Sequence, residues 1–223
     1  MLLRHLFIIL YFSFAPVQQE ELIVVSSLNE YKIQVKNNPD LQLLEIKKYI
    51  PAVHLDIKYA TKANFSGVAV YSQASAFARK PVVEALLKIQ KELKKEGIGL
   101  KIFDAYRPYS VTVKFWKVTP IDKKEFVANP KTGSRHNRGC AVDLTLINLK
   151  SGKELEMPTP YDSFAKEASP TYQDISPIQK KNRDFLINIM ERNGFKVIKN
   201  EWWHFDFRGW EKFPLMDIPF EKL

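Results

Sequence analysis

Two histidines and three carboxylates stand at spacings that can do chemistry. His136 and Asp143 lie seven residues apart in Ser134-Arg135-His136-Asn137-Arg138-Gly139-Cys140-Ala141-Val142-Asp143, and Glu201 precedes His204 by three in Glu201-Trp202-Trp203-His204. His136, Asp143 and His204 would offer two nitrogens and one oxygen to a divalent ion. Three protein ligands with a fourth position left for water is the composition of a catalytic zinc site, not a closed structural one. Such an ion lowers the pKa of its water and polarises a carbonyl. Glu201, outside the ligand set, would take the proton from that water. Asp206, two residues past His204, is a reserve ligand or a hydrogen-bond partner of that histidine. Spacing alone leaves a plainer alternative open, in which His204 and the tryptophans are core residues beside a surface glutamate. The metal reading also makes a geometric demand. Residues three apart on a regular strand face opposite ways, so a bulge, turn or strand end is expected within Glu201–His204.

The elements that must position these groups are those of one α+β domain over residues 22–223. Pro81 to Glu96 reads as a helix, with Pro81 in its first turn, an apolar stripe through Val82, Val83, Leu86, Leu87, Ile89 and Leu93, and Gly97 at its end. Gly99–Asp104 and Ala141–Leu149 read as strands, Ser110–Lys117 as a short helix and Gln179–Asn193 as a second long helix closed by Gly194. Phe195–Phe207 returns as strand, Val53–Ile57 alternates like one, and Leu22–Ile50 has no clear period and is expected to wrap the surface. This order predicts a central antiparallel sheet with helices packed on one side.

Composition bounds the function. The 223 residues carry 34 Lys plus Arg against 25 Asp plus Glu, a formal charge of +9, and 45% hydrophobic residues. This is ordinary globular composition, and the positive charge favours anionic partners without choosing among them. The Lys-rich outer face of the first long helix reads as solvated surface, so no nucleic-acid partner is expected. One cysteine, Cys140, excludes a disulfide framework and any multi-cysteine zinc site. It reads as a small buried residue, not a nucleophile.

Four motifs in one order resemble the D-alanyl-D-alanine dipeptidases, the VanX-like branch of zinc peptidases that also includes D,D-carboxypeptidases and the hedgehog-like zinc fold. They are Tyr59-Ala60-Thr61 with Asn64-Phe65, then Asp104-Ala105-Tyr106-Arg107-Pro108, then Ser134, His136, Gly139 and Asp143, then Glu201, Trp203 and His204. The resemblance covers roughly Leu55 to Phe207. It implies a hedgehog/D,D-peptidase-like fold and one Zn2+ per chain on His136, Asp143 and His204, with Glu201 as catalytic base. It also implies that Arg107 sits beside the substrate carbonyl and stabilises the oxyanion. Asp104 would orient Arg107 or simply pair with it. Tyr59 and Asp162 would line the dipeptide pocket, with the Asp162 carboxylate holding the substrate ammonium, and Ser134 would meet the terminal carboxylate or support the site. Trp202, Trp203, Trp210 and Phe207 would wall the metal from behind. The implied reaction is hydrolysis of D-Ala-D-Ala to two D-Ala. The alternatives are a wall-peptide D,D-carboxypeptidase or endopeptidase on the same site, and a catalytically silent zinc-stabilised binding module.

Residues 1–15 read as a signal peptide. Arg4 and His5 precede the apolar run Leu6–Phe12, which is too short for a membrane span of about 20 residues. Export, to a periplasmic location, is therefore expected, with cell-wall peptides as further candidate substrates and no stable membrane span.

Overall fold

The computed structural model describes residues 22–223, so the expected signal segment lies outside the described residues. The chain runs β1 (Val24–Val25), α1 (Leu28–Asn37), β2 (Leu43–Glu45), α2 (Ile46–Tyr49), β3 (His54–Leu55), β4 (Phe77–Arg79), α3 (Lys80–Lys95), β5 (Ile98–Asp104), α4 (Tyr109–Val118), β6 (Ala141–Asn148), α5 (Pro177–Arg192), β7 (Phe195–Ile198), β8 (Glu201–Phe207) and β9 (Leu215–Met216). Five strands form the main sheet in the order β3-β5-β6-β8-β7. All of its pairs are antiparallel except β3, which runs parallel to β5. The expected antiparallel sheet is thus correct at its centre and mixed at one edge.

Alternation along β6 divides the sheet into two faces. Val142, Leu144 and Leu146 join one apolar cluster with Leu86, Ile89 and Leu93 of α3 and Leu186, Ile189 and Met190 of α5. Asp143 therefore points to the other face, away from the helices. The helices start and stop where local chemistry dictates. Ser176 and Gln179 make a reciprocal capping box at the start of α5, and α3 ends just before Gly97 at φ +69°.

The segment before residue 50 corrects the sequence expectation. Residues 22–42 do lie largely at the surface, with only Val25 and Tyr31 buried, but the end of the segment buries Leu43, Leu44, Ile46 and Ile50, and β2 pairs with β4. Arg79, at the end of β4, is fully buried. Its guanidinium donates to the backbone carbonyls of Leu41, Arg138 and Pro214, so the early segment, the His136 loop and the end of the fold share one side chain. The strand read at Val53–Ile57 shortens to β3, where His54 is exposed.

Candidate active site

His136 enters from a tight helical turn, His136–Arg138, that leads into β6. Gly139 ends that turn at φ +69°, and a Cβ there would come within 2.6 Å of a Leu43 methyl, so only glycine fits. The turn is tied on both sides. The Asn137 side chain accepts from the Ser134 amide at 2.8 Å and donates to the Arg107 carbonyl and the Thr112 hydroxyl, each at 2.8 Å. Ser134 Oγ accepts from the His136 amide at 3.2 Å. The His136 ring is then oriented by its Nδ1, 2.6 Å from the Ala105 carbonyl. That leaves Nε2 facing Asp143 and His204.

Two strand irregularities, one on each neighbour of β6, aim the remaining groups. On β5 the register steps between Ile102, which pairs with Leu144, and Asp104, which pairs with Asp143. Without that step Asp104 would pair with Val142 and face the helices. On β8, Phe205 pairs with Val197 but Glu201 pairs with Ile198, so the three residues Trp202–His204 are accommodated in a bulge. This is the irregularity that the three-residue spacing demands. It brings a Glu201 carboxylate oxygen to 3.7 Å from His204 Nδ1.

His136, Asp143 and His204 are all buried, and one donor atom from each lies within 4.8 Å of the others. Asp143 Oδ1 is 3.3 Å from His136 Nε2 and 3.0 Å from His204 Nδ1, yet it is a buried oxygen with no hydrogen-bond donor. His204 Nε2 is 2.9 Å from Asp206 Oδ1. Burial disfavours a charged His204, but Asp143 and Asp206 more than offset that and push its pKa up to about 10. The centre thus attracts positive charge. Two imidazole nitrogens and a carboxylate oxygen without a donor fit a divalent metal, and the outer nitrogen of each imidazole is committed elsewhere, as metal-binding histidines require.

A cavity of about 220 Å³ opens in front of this cluster. That is below the ~300–1,000 Å³ usual for drug-sized ligands. It is lined by all of the residues singled out from the sequence as ligands, base or pocket: Tyr59, Arg107, Ser134, His136, Asp143, Asp162, Glu201, Trp203 and His204. Arg107 is buried, and its Nε and Nη2 both donate to Asp104 Oδ2, at 3.0 and 2.8 Å. Its guanidinium lies over the rings of Tyr59 and Phe115. Tyr71 donates to the other Asp104 oxygen at 2.8 Å. Arg107 thus pairs with Asp104 and also lines the cavity. Tyr59 donates to Asp162 at 3.1 Å. Burial pushes Asp162 up to about 7, with Asp143 adding to the rise. Burial raises Glu201 to about 7 as well, although neighbouring His204 opposes this.

A family description, the M15 peptidase family of D-Ala-D-Ala dipeptidases, matches residues 39–214. The chain belongs to this family. It is 32% identical to the D-alanyl-D-alanine dipeptidase of Escherichia coli strain K12 over 175 residues, 78% of this chain and 89% of that protein. Dipeptidases of the same name from Enterococcus faecium and Enterococcus faecalis are 31% and 32% identical, over 76% and 73% of this chain and 92% and 89% of theirs. Within this family member several site residues escape sequence reading. Phe126 and Phe164, stacked 5.0 Å apart, line the cavity together with Phe65 of the first motif. Tyr161 donates to Asp143 Oδ2 at 3.0 Å. Their loops are far apart in sequence, and no local pattern signals their meeting. Trp210 departs from its expected place. It lies under Arg135 and Arg138 instead of walling the centre. Cys140 is buried and its thiol is pushed up to about 12 by that burial, which disfavours the thiolate a nucleophile needs.

Proposed function

We propose that this chain is a zinc D,D-dipeptidase, hydrolysing D-Ala-D-Ala to two D-Ala with one Zn2+ held by His136, Asp143 and His204. When bound, the zinc supplies an acidified water and a polarised scissile carbonyl. The remaining chemistry falls to the chain's own groups. Glu201 accepts the proton from the attacking water and returns it to the departing amine. Burial suits it to this exchange by raising its affinity for a proton toward neutral pH. Arg107 stabilises the negative charge that develops on the carbonyl oxygen. Asp104 takes two of its nitrogens and fixes the plane of the guanidinium, which leaves the third for the substrate. Asp162, steadied by Tyr59, pairs with the free ammonium of the dipeptide, so a blocked or extended amine loses that contact. Ser134 stands by the terminal carboxylate, and Trp203 closes the wall.

The observation that carries this reading is Glu201 lying 3.7 Å from His204 inside the small cavity that also holds Arg107. A silent binding module would require neither the glutamate nor the arginine there. The small cavity favours a dipeptide over longer wall peptides. We also assign residues 1–15 to export and residues 22–223 to one catalytic domain. Among the described residues no helix is long and apolar enough to cross a membrane. Cell fractionation tests the export assignment, which an intact cytoplasmic chain would overturn.

The function is tested by incubating the zinc-supplied protein with D-Ala-D-Ala and assaying free D-Ala, beside Glu201→Gln. The variant is expected to keep its metal and lose about 10²–10⁴-fold in kcat. No release from zinc-loaded wild-type protein would sink the dipeptidase assignment and direct the search to longer D,D-peptides.

A further inference from the structure

The two oxygens of Asp143 have different surroundings. Oδ1 faces His136 and His204, whereas Oδ2 accepts the Tyr161 hydroxyl at 3.0 Å. The Tyr161 ring is itself held from two sides. It stacks on Phe103 with centroids 4.4 Å apart and planes 15° apart, and meets Trp203 edge-on at 5.6 Å. Phe103 sits at the register step of β5, so the stack belongs to the same irregularity that aims Asp104.

The backbone after Tyr161 is unusual. Asp162 has φ +66°, the one positive φ outside glycine among the described residues. Consecutive residues of an extended chain point to opposite sides. A left-handed residue breaks that alternation, and here both neighbours reach the site, Tyr161 to Asp143 and Asp162 to Tyr59. A strained backbone conformation persists where surrounding contacts demand it.

We propose that Tyr161 is a positioning residue whose hydroxyl occupies Asp143 Oδ2, so that the carboxylate presents Oδ1 alone to the metal. A carboxylate can ligate a cation through one oxygen or both. Tying one of them to a neutral donor fixes the side chain and keeps a coordination position open for water and carbonyl. The inference rests on His136, Asp143 and His204 being the metal ligands.

Tyr161→Phe separates the hydroxyl from the ring, because the stack on Phe103 and the edge contact with Trp203 survive. The metal-free variant and wild type would be titrated with Zn2+ against a competing chelator, and with Co2+ while its visible absorption is recorded. Tyr172→Phe, away from the cavity, serves as the control for loss of a phenol. The expected result is a ~10–100-fold loss of metal affinity, and a weaker, shifted Co2+ band as Asp143 turns to bind through both oxygens. Thermal unfolding of the metal-free forms would agree, while the metal-induced rise in Tm would shrink in Tyr161→Phe alone. Affinity within twofold of wild type together with an unchanged Co2+ spectrum would overturn the proposal and leave the ligand set standing. Failure of wild-type protein to bind either metal would overturn the ligand set, and this inference with it.

Discussion

The two sides of the cavity are built differently. His136, Asp143, His204 and Glu201 sit on β6, on β8 or on the turn feeding β6, where hydrogen-bond register fixes them. Tyr59, Phe65, Phe126, Asp162 and Phe164 come from loops or short helical turns that meet only in the fold. Strand-borne groups cannot shift without disturbing a ladder of backbone bonds, so that side suits chemistry with strict geometry. Loop-borne groups can be exchanged at little cost to the fold, so that side suits the choice of substrate. Arg107 bridges the two, anchored to β5 through Asp104 and lying over Tyr59.

That division predicts which kinetic parameter each side controls. After the loss of the base at Glu201, the largest effect is expected at the bridge. Arg107→Lys keeps the charge but loses the paired donation to Asp104, and should lower kcat by ~10²–10³-fold. Steady-state kinetics with D-Ala-D-Ala would check this, and a change confined to KM would move Arg107 to the substrate side. Next, Asp206→Asn removes the carboxylate behind His204 and should weaken metal affinity ~10–100-fold with KM little changed. Chelator competition measures it.

On the loop side, Asp162→Asn should raise KM for the free dipeptide by about 10-fold, the worth of one charge-assisted bond, and leave metal content alone. Comparison with an N-acetylated dipeptide sharpens the point, because the variant should discriminate against it less. If Asp162→Asn instead costs metal, the division fails.

The smallest effect is in pH dependence. Glu201 and Asp162 are both raised to about 7, and both act as carboxylates. Activity should therefore fall as pH drops through and below this value. In kcat/KM the wild-type acid limb should steepen beyond a slope of one, and Asp162→Asn should return it to one. A slope of one in both proteins would mean that only one side titrates.

The strand-borne side was legible in the sequence, and the reason is physical. The proposed ligands and base belong to short segments whose residue types are rare, and on the metal reading the three-residue gap between Glu201 and His204 itself demanded the bulge now seen. The matching step at Phe103 carried no such signal, since neither glycine nor a chemical spacing marks it. The loop-borne wall was legible only where a motif named it, as at Tyr59, because Tyr59 and Asp162 touch across 103 positions of chain. Residues 43–50 were misjudged because β2 and α2 are three and four residues long, too short for any period to show. Their burial comes from tertiary packing alone.

Arg79 adds a dimension of time. Its guanidinium joins the carbonyls of Leu41, Arg138 and Pro214, and the Tyr106 hydroxyl bonds both the amide and the carbonyl of Ile218. The His136 loop is therefore braced by a residue translated well before it and by others translated long after. A ribosome that has made Glu201 and His204 has made every chemical group of the centre, yet Pro214 and Ile218 of the brace are made only after them. The reactive groups of the centre are thus all made before the residues that brace the loop beneath His136.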